Sequence, residues 1–451
     1  MRKRKVFVHG TADSLQKFFA DAAGRDFEIV AILSEDNVSG NFEVIAPHVL
    51  PKFNYGLVDG IIFTGDKAIA DYFLRQGIEP RKIILWDERQ GWQMFGGRDK
   101  DGVQVAFIYG LEFHIRNQED AQFFNESVWR FQMQRQVKNL NPQMYPAILA
   151  RDFQQRMGRP LDFNNPRTFT EKLQWLKIYD ATPIKSRLAD KYRVRRWVAD
   201  KIGQEYLIPL LGVWDDLDDI DFDDLPNQFV LKCNHGSGMN IIVRDKATFD
   251  KQAAREKINS WLTADYSCVW NAFEMHYTRI KRKIIAEKFM ANGNEPDLTD
   301  YKFWCFGGKP TVVQCETDRS TDLRFDYFDM NFNHTDIERS DHRLSDHPEK
   351  IRKPKNFKLM KKLAAKLAEG FAFVRVDFYE IDGHIYFGEM TFTPGAGNFY
   401  YKSAGTDEYL GDLLTLPVAT PPPDRIFAHR RKFNVSCPSK VSEQDTTAVA
   451  A

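Results

Sequence analysis

Two folds in succession are predicted for this chain: an N-terminal Rossmann-like α/β domain of parallel strands, then an α+β domain built from antiparallel hairpins. Three observations carry the prediction. The first stretch alternates short apolar runs with polar helical segments, a βαβ rhythm. From residue 229 onward that rhythm gives way to long strand patterns joined by glycine turns. The length of 451 residues exceeds what one core organises at about 150 residues per domain. The boundaries drawn on this basis are 1–115 for the α/β domain, 116–145 for a helical linker, 146–415 for the second domain and 416–451 for a loosely ordered tail.

The apolar runs at 5–9, 27–33, 58–64 and 82–86 have few polar interruptions, as expected of parallel strands covered on both faces. Such a sheet binds ligands beyond the carboxyl ends of its strands. His9, Gly10 and Thr11 follow the first run, but without a G-x-G-x-x-G pattern they are a faint dinucleotide signal. Asp36 and Asp66 read as loop and cap residues ahead of any ribose contact. Residues 112–140 read as a connecting helix that Asn141 and Pro142 end. The turn-rich segment 159–170 leads into Thr168 and Glu171, spaced as a capping box, and helices follow to Ile202. Hairpins occupy the remainder, interrupted by a lysine-rich helix at 354–369. Pro421, Pro422 and Pro423 and a small, polar finish mark the tail.

Lysine and arginine number 63, matching 63 aspartates and glutamates, so no global field draws nucleic acid or anionic lipid, and any polyanion site must be local. Hydrophobic residues at 43% allow a sizeable core. The five cysteines form no C-x-x-C pair, which argues against a disulfide framework or zinc site and fits a cytoplasmic setting. The basic start MRKRKVFVHG lacks the apolar stretch of a signal peptide, and nowhere are there the roughly 18 apolar residues of a membrane span. A peripheral contact with a lipid-linked glycan and assembly into a homo-oligomer are both compatible with these features.

Three segments carry charged residues in patterns suited to chemistry. The first is a strand at 228–232 ending in Lys232, then a loop with Gly236 and Gly238, then a strand at 240–245. Two glycines let a backbone approach an anion and donate N–H groups, with the lysine as a point charge; a flexible hairpin with a surface lysine fits the pattern equally. The second, 283–290, is an apolar strand with Glu287 and Lys288 near its end, which reads as an edge strand leaving the core. It precedes a hairpin in which alternation puts Asp300 and Lys302 on one face, an exposed ion pair in the plainest reading. The third is FAFVRVDFYEIDGHIYFGEMTFTPGAG at 371–397, where Arg375 and Asp377 share a strand face and Glu389 and Thr391 share a face of the next. Hard oxygens of this kind suit magnesium with phosphate oxygens and water. An ideal two-residue turn at Asp382 and Gly383 would send Glu389 to the face opposite Asp377, so a shared site requires a longer or bulged turn, with His384 as the extra residue.

These segments, in order with Asp190-Lys191 opening a helix, resemble the ATP-grasp superfamily, whose two α+β subdomains clasp ATP. DFNNPRTFTEK at 162–172, LKCNHGSG at 231–238 and the TFTPG ending more narrowly resemble the TupA-like ATP-grasp family of bacterial polysaccharide gene clusters, over roughly 145–415. The resemblance implies ATP and Mg2+ as cofactors. It places Lys191 and Lys232 on the ATP phosphates, His235, Gly236, Ser237 and Gly238 in the loop closing over them, and Glu287 with the backbone near Lys288 and Phe289 at the adenine. It also implies Lys302 near the γ-phosphate, Asp377, Glu389 and Thr391 around the metal, and Arg375 stabilising an acyl-phosphate. Thr391 departs from the superfamily, which more often has asparagine there.

The activity so implied is an ADP-forming amide ligase. It would join an amino acid or other small amine to a hexuronic acid carboxylate of a capsule or O-antigen type polysaccharide, whether nucleotide-linked, lipid-linked or finished polymer. No side-chain nucleophile is needed; Asp318 or Glu316, at the end of the neighbouring strand, are the candidates for the base that takes the amine's proton. The saccharide pocket is assigned to Asn165 and Arg167 with Tyr400, because rings stack on sugar faces and an arginine forks a carboxylate, although packing and turn chemistry explain them equally well. A nucleotide-sugar-dependent glycosyltransferase is the competing reading, and a binding module with a decayed site is a third.

Overall fold

The structure is a computed structural model that describes residues 103–108, 111–291, 293, 298–319, 321–418 and 426–427, preceded by 4–10, 27–33, 44–45, 60–64, 83–87, 91–94, 97–98 and Leu15, Gln16 and Phe18. The chain divides into two compact units between Ala121 and Gln122. In the first, six strands pair in the order β3-β2-β1-β4-β5-β6. They are β1 (Arg4–His9), β2 (Phe27–Leu33), β3 (Val44–Ile45), β4 (Gly60–Thr64), β5 (Ile83–Asp87) and β6 (Gly91–Met94). The first five are mutually parallel and β6 runs antiparallel to β5. The helices expected between them lie almost wholly outside the described residues, as do Asp36 and Asp66.

Strands β7 (Gly97–Arg98), β8 (Gln104–Ile108) and β9 (Leu111–Ile115) form a separate antiparallel sheet. The helix expected over 112–140 therefore starts later, as α1 (Gln118–Asn139). Leu111, Phe113 and Ile115 alternate with Glu112 and His114, and that period of two belongs to a strand, with Phe113 buried.

The second unit opens with α2 (Tyr145–Met157), α3 (Phe169–Tyr179), α4 (Pro183–Ala189) and α5 (Val194–Lys201). The expected capping box is present at α3: the Thr168 hydroxyl accepts from the Glu171 amide and the Glu171 carboxylate accepts from the Thr168 amide. Arg159 and Asp407 extend it into a partly buried network, with Asp407 Oδ1 accepting from the Thr170 amide at 2.9 Å. Beyond these helices stand two antiparallel sheets. One has the order β10-β13-β11-β12, from β10 (Leu210–Trp214), β11 (Phe229–Cys233), β12 (Asn240–Val243) and β13 (Ile284–Lys288), and α6 (Lys251–Thr263) packs on it. The other has the order β16-β15-β14-β17-β18, from β14 (Asp300–Phe306), β15 (Lys309–Thr317), β16 (Arg324–Phe328), β17 (Phe373–Ile381) and β18 (His384–Thr391). Between β16 and β17 lies α7 (Phe357–Ala368), and α8 (Ala404–Leu413) closes the unit against α3.

Strand alternation divides the five-stranded sheet. Tyr301, Phe303, Cys305, Val374, Val376 and Phe378 form one cluster with Met360, Leu363 and Leu367 of α7. On the other face, Trp304, Phe306 and Phe373 pack with Phe169 and Phe399. Each such ring removed from water contributes about 1.5–3 kcal/mol. Continuing along that second face, the residues become Asp300, Lys302, Arg375 and Asp377, with Lys302 paired opposite Asp377 and Trp304 opposite Arg375.

The β17–β18 hairpin brings its carboxylates together by a different route from the one expected. Its turn is the tight one at Asp382 and Gly383, with Ile381 paired to His384, so His384 is not an inserted residue. The register shifts further in: Val376 pairs with Met390 and Phe378 with Phe387, leaving Gly388 and Glu389 together opposite Asp377. This bulge returns Glu389 and Thr391 to the face of Arg375 and Asp377. A side chain at 388 has little room, since a Cβ there would lie 3.2 Å from the Asp377 carbonyl oxygen and 3.3 Å from its Cβ.

Beyond Val418 only Ile426 and Phe427 of the expected tail are described; Phe427 is tied down, its amide donating to the Ile178 carbonyl at 3.1 Å.

Gly388→Val is predicted to lower stability by about 1–3 kcal/mol, read by chemical denaturation, because an overpacked bulge must displace Asp377 or Tyr379.

Candidate functional site

A cavity of about 370 Å³ opens between the two sheets of the second unit. Among the described residues its lining carries six cations (Lys191, Arg195, Lys232, Lys302, Arg319, Arg375) against five carboxylates (Glu287, Asp300, Glu316, Asp377, Glu389). The near balance explains how so many charges tolerate partial burial before a ligand arrives.

The four-stranded sheet supplies one side. Lys232, at the end of β11, donates to Glu287 of β13 at 2.6 Å, and Arg195 of α5 donates to the same carboxylate at 2.9 Å. Next to this pair lies a more apolar cavity of about 180 Å³ that shares Lys232 and Glu287 and includes Val230, Ile242, Phe289 and Met290. Phe289 carries Arg244 over its ring at 5.1 Å. The Lys288 amide is engaged by the Pro209 carbonyl at 3.0 Å, which takes that donor away from a base edge.

The glycine loop between β11 and β12 is fixed at its base by Asn234. This buried amide donates to Asp190 Oδ1 at 2.8 Å and to the Lys281 carbonyl at 3.0 Å, while its oxygen accepts from the Lys283 amide at 2.8 Å. Asp190 in turn accepts the amides of Tyr192 and Arg193, and so starts α5 while aiming Lys191 at the loop. Lys191 Nζ donates to the Gly236 carbonyl at 2.8 Å and to Glu389 Oε2 at 3.2 Å. Gly236 is required by close approach, since a Cβ there would come within 2.5 Å of the Tyr266 ring, and Gly238 by its left-handed φ of 72°. Ser237 and Gly238 line the cavity. His235 does not: its ring is buried, with Nε2 against the Trp261 carbonyl at 3.0 Å, and burial lowers its pKa to about 4. It is a neutral core residue.

The five-stranded sheet supplies the opposite side. Lys302, only 5% exposed, donates to Asp377 Oδ2 at 3.0 Å and Asp300 Oδ2 at 3.2 Å, with Glu316 at 3.5 Å. The expected surface ion pair of Asp300 and Lys302 is thus a buried one. Arg375 grips Asp377 through Nε at 2.8 Å and Nη2 at 2.6 Å, and the same Nη2 reaches Glu389 Oε1 at 2.9 Å and Thr391 Oγ1 at 3.1 Å. Thr391 in turn donates to Glu389 Oε1 at 3.1 Å, orienting that carboxylate. Burial pushes the Asp377 carboxyl above the usual range despite Arg375 and Lys302. Glu389 is partly exposed; its partial burial works to raise it, but Lys191, Arg375 and Lys302 outweigh that and hold it below that range. Burial pulls Lys302 down, but Asp300 and Asp377 outweigh it and keep the ammonium charged.

No group of three or more His, Cys, Asp or Glu side chains among the described residues could by itself hold a metal ion. Asp377, Glu389 and Thr391 offer two carboxylates and a hydroxyl, a donor set suited to a hard cation that takes its remaining ligands from phosphates and water.

A family model described as TupA-like ATP-grasp matches residues 171–415. The chain belongs to the TupA-like ATP-grasp family. The match starts at Glu171, inside the capping box, so the DFNNPRTFT turn lies ahead of it. No curated protein matches the chain. Solved structures similar to this family member include D-alanine–D-alanine ligase from Bacillus anthracis complexed with ATP, at 12% identity over 87% of this chain and 86% of that one, TM-score 0.27. The ATP-grasp ligase PsnB complexed with its minimal precursor matches at 13% identity over 78% and 96%, TM-score 0.29. Cdc123 from Schizosaccharomyces pombe matches at 8% identity over 47% and 85%, TM-score 0.27.

A third cavity, of about 400 Å³, shares Ser237, Arg375 and Glu389 with the first. Tyr400 lines it together with Thr391 and Glu274. Asn165 and Arg167 line none of the three cavities; they sit exposed on the turn before α3, where the Arg167 amide donates to Glu171 at 2.7 Å. Sequence reasoning passed over Arg195, Asn234, Glu274 and Arg319. Arg195 and Arg319 lie in ordinary charged stretches, whereas Asn234 stands inside the LKCNHGSG motif and was the one open to recognition.

Lys302→Met is predicted to destabilise the protein by about 3–5 kcal/mol, because Asp300, Asp377 and Glu316 lose their common counter-ion. Burial pushes Asp300 up, but Lys302 and Arg319 carry it below the usual carboxylate pKa, so its stabilisation is present at neutral pH and lost as pH falls through the folded value. The deficit of the variant, measured by denaturant midpoints, is therefore largest at neutral pH and shrinks on acidification.

Proposed function

We propose that the protein is an ATP- and Mg2+-dependent carboxylate–amine ligase acting on a hexuronic acid of a surface polysaccharide or its precursor. The observation that carries this reading is the convergence of Lys191, Lys232, Lys302 and Arg375 on one cavity that also presents Asp377 and Glu389. Cations now held by carboxylates can exchange those partners for phosphate oxygens, and the adjacent 180 Å³ cavity, with its apolar wall and Phe289, suits a nucleobase. Asp377 and Glu389, with Thr391 beside them, would hold Mg2+, which when bound neutralises charge on the transferred phosphoryl group.

In the first step a substrate carboxylate oxygen bonds to the γ-phosphorus as the bond to the β-phosphate oxygen breaks, and ADP leaves with that electron pair. Lys191 and Lys232 position the phosphates, while Lys302 and Arg375 stabilise the oxygens that gain charge, so positioning and electrostatics supply the catalysis. In the second step an amine displaces phosphate from the acyl-phosphate. The family resemblance supports the uronic acid, and the scattered cysteines fit a cytoplasmic setting.

ADP and phosphate release is measured from ATP and magnesium with amines crossed against glucuronic and galacturonic acid donors. Turnover is expected to require both partners and to fall at least about 100-fold in Asp377→Asn. Consumption of a UDP-sugar at equal rates by wild type and variant, with no ATP turnover, would instead establish a glycosyltransferase.

A further inference from the structure

The third cavity contains a carboxylate that the reading above leaves without a task. Glu274 precedes the short 3-10 segment Met275–Arg279 and is 6% exposed, yet it lines this cavity together with Arg375 and Glu389. Its Oε1 accepts a hydrogen bond from the Thr393 hydroxyl. Its Oε2 meets no hydrogen-bond partner among the described residues and is not sealed from the cavity either. Lys177, a buried cation whose charge acts on it, makes no direct ion pair with it; its ammonium donates to the Ala396 carbonyl at 2.8 Å. A carboxylate this buried, with one oxygen unbonded and open to a chamber, leaves that oxygen placed to accept a proton or a hydrogen bond from a ligand seated there.

We propose that Glu274 is the general base of amide formation, accepting a proton from the ammonium of an acceptor amine seated in this cavity. The inference rests on the ligase reading and assigns the second substrate its place. As the ammonium docks, one N–H proton passes to the Glu274 carboxylate and frees the nitrogen lone pair. That pair forms the C–N bond to the acyl carbon, and the C–O bond to phosphate breaks with its electrons leaving on phosphate. The second nitrogen proton goes to the departing phosphate, and Glu274 returns its own to solvent after release.

The surroundings suit this role. Burial raises the Glu274 carboxyl well above the usual range while Thr393 and Lys177 oppose it, which brings the base toward the operating pH. The other groups facing it are Lys177 on α3, itself lowered by burial, Asp152 and Arg156 of α2 around Lys177, and the tyrosines 266 and 277, both raised by burial. His276, beside it, is lowered to about 3 by burial and stays neutral, so it does not compete. Glu316 is a poorer base than the sequence suggested, since Arg319 at 2.7 Å and Gln314 at 2.9 Å already hold it.

The test compares two nucleophiles in the full-length protein: an alkyl amine that is an ammonium at neutral pH, and hydroxylamine, which is uncharged and needs no base. E274Q is expected to lose turnover with the alkyl amine by at least about 100-fold while hydroxamate formation stays near the wild-type rate. T393V keeps the carboxylate but removes the bond that lowers its pKa, so the acid limb of kcat moves to higher pH. Equal rates for E274Q and wild type with both nucleophiles overturn the proposal. Loss of both in E274Q, joined with an unmoved acid limb in T393V, overturns it too. If wild type forms no hydroxamate from any carboxylate, the ligase reading itself falls, an outcome separate from these.

Discussion

The site in the second unit depends on one constraint: Arg375 and Lys302 must share Asp377 inside a sheet whose strands are largely apolar and aromatic. Arg375 forks both Asp377 oxygens and extends to Glu389, while Lys302 takes Asp377 from the neighbouring strand. Charges this buried are tolerable only in good geometry with every partner present. The antiparallel register of β14 on β17 supplies it by placing Lys302 opposite Asp377. The bulge at Gly388 and Glu389 supplies the remainder, because it turns a carboxylate that would have faced α7 toward the cavity.

The same sheet therefore does two jobs along one face. At one end Trp304, Phe306 and Phe373 interlock with Phe169 of α3, and at the other the charged cluster stands open to a ligand. The rigid end holds the reactive end: side chains that must sit within a fraction of an ångström of their working positions are mounted on strands whose neighbours are packed rings. Across the cavity, Asn234 performs an equivalent service for the glycine loop, tying it to Asp190 and to the strand before Glu287. The bond from Lys191 to the Gly236 carbonyl thus ties the loop backbone to the segment that leads into α5.

Much of the site was legible from the chain alone. Lys191, Lys232, Ser237, Gly238, Glu287, Lys302, Arg375, Asp377 and Glu389 all line one cavity; each sat in a local motif, and for Lys302, Arg375 and Asp377 the strand alternation already gave the shared face. His235 failed for a plain reason: a loop's composition does not say which of its side chains turns inward, and this one meets the Trp261 carbonyl. Asn165 and Arg167 failed because a turn-rich motif looks the same whether it faces a ligand or water. The helix expected at 112–117 missed a five-residue alternation that a longer polar pattern obscured.

The sequence by itself determined the charges, the capping box and the strand alternation, since each of these depends on residues within one turn or one strand of each other, and the order of its separated motifs pointed to the family. It also showed that a site shared by Asp377 and Glu389 needs a longer or bulged turn, because the side-chain period is two, and it put the extra residue at His384, whereas the turn itself is tight. Only the tertiary structure decided where the bulge falls, as this depends on how Gly388 packs against Asp377 and Tyr379. The same holds for Arg195, Arg319 and Glu274. Their environments are made by segments distant in the chain, so no local pattern could state which of them meets a partner and which is left facing a cavity.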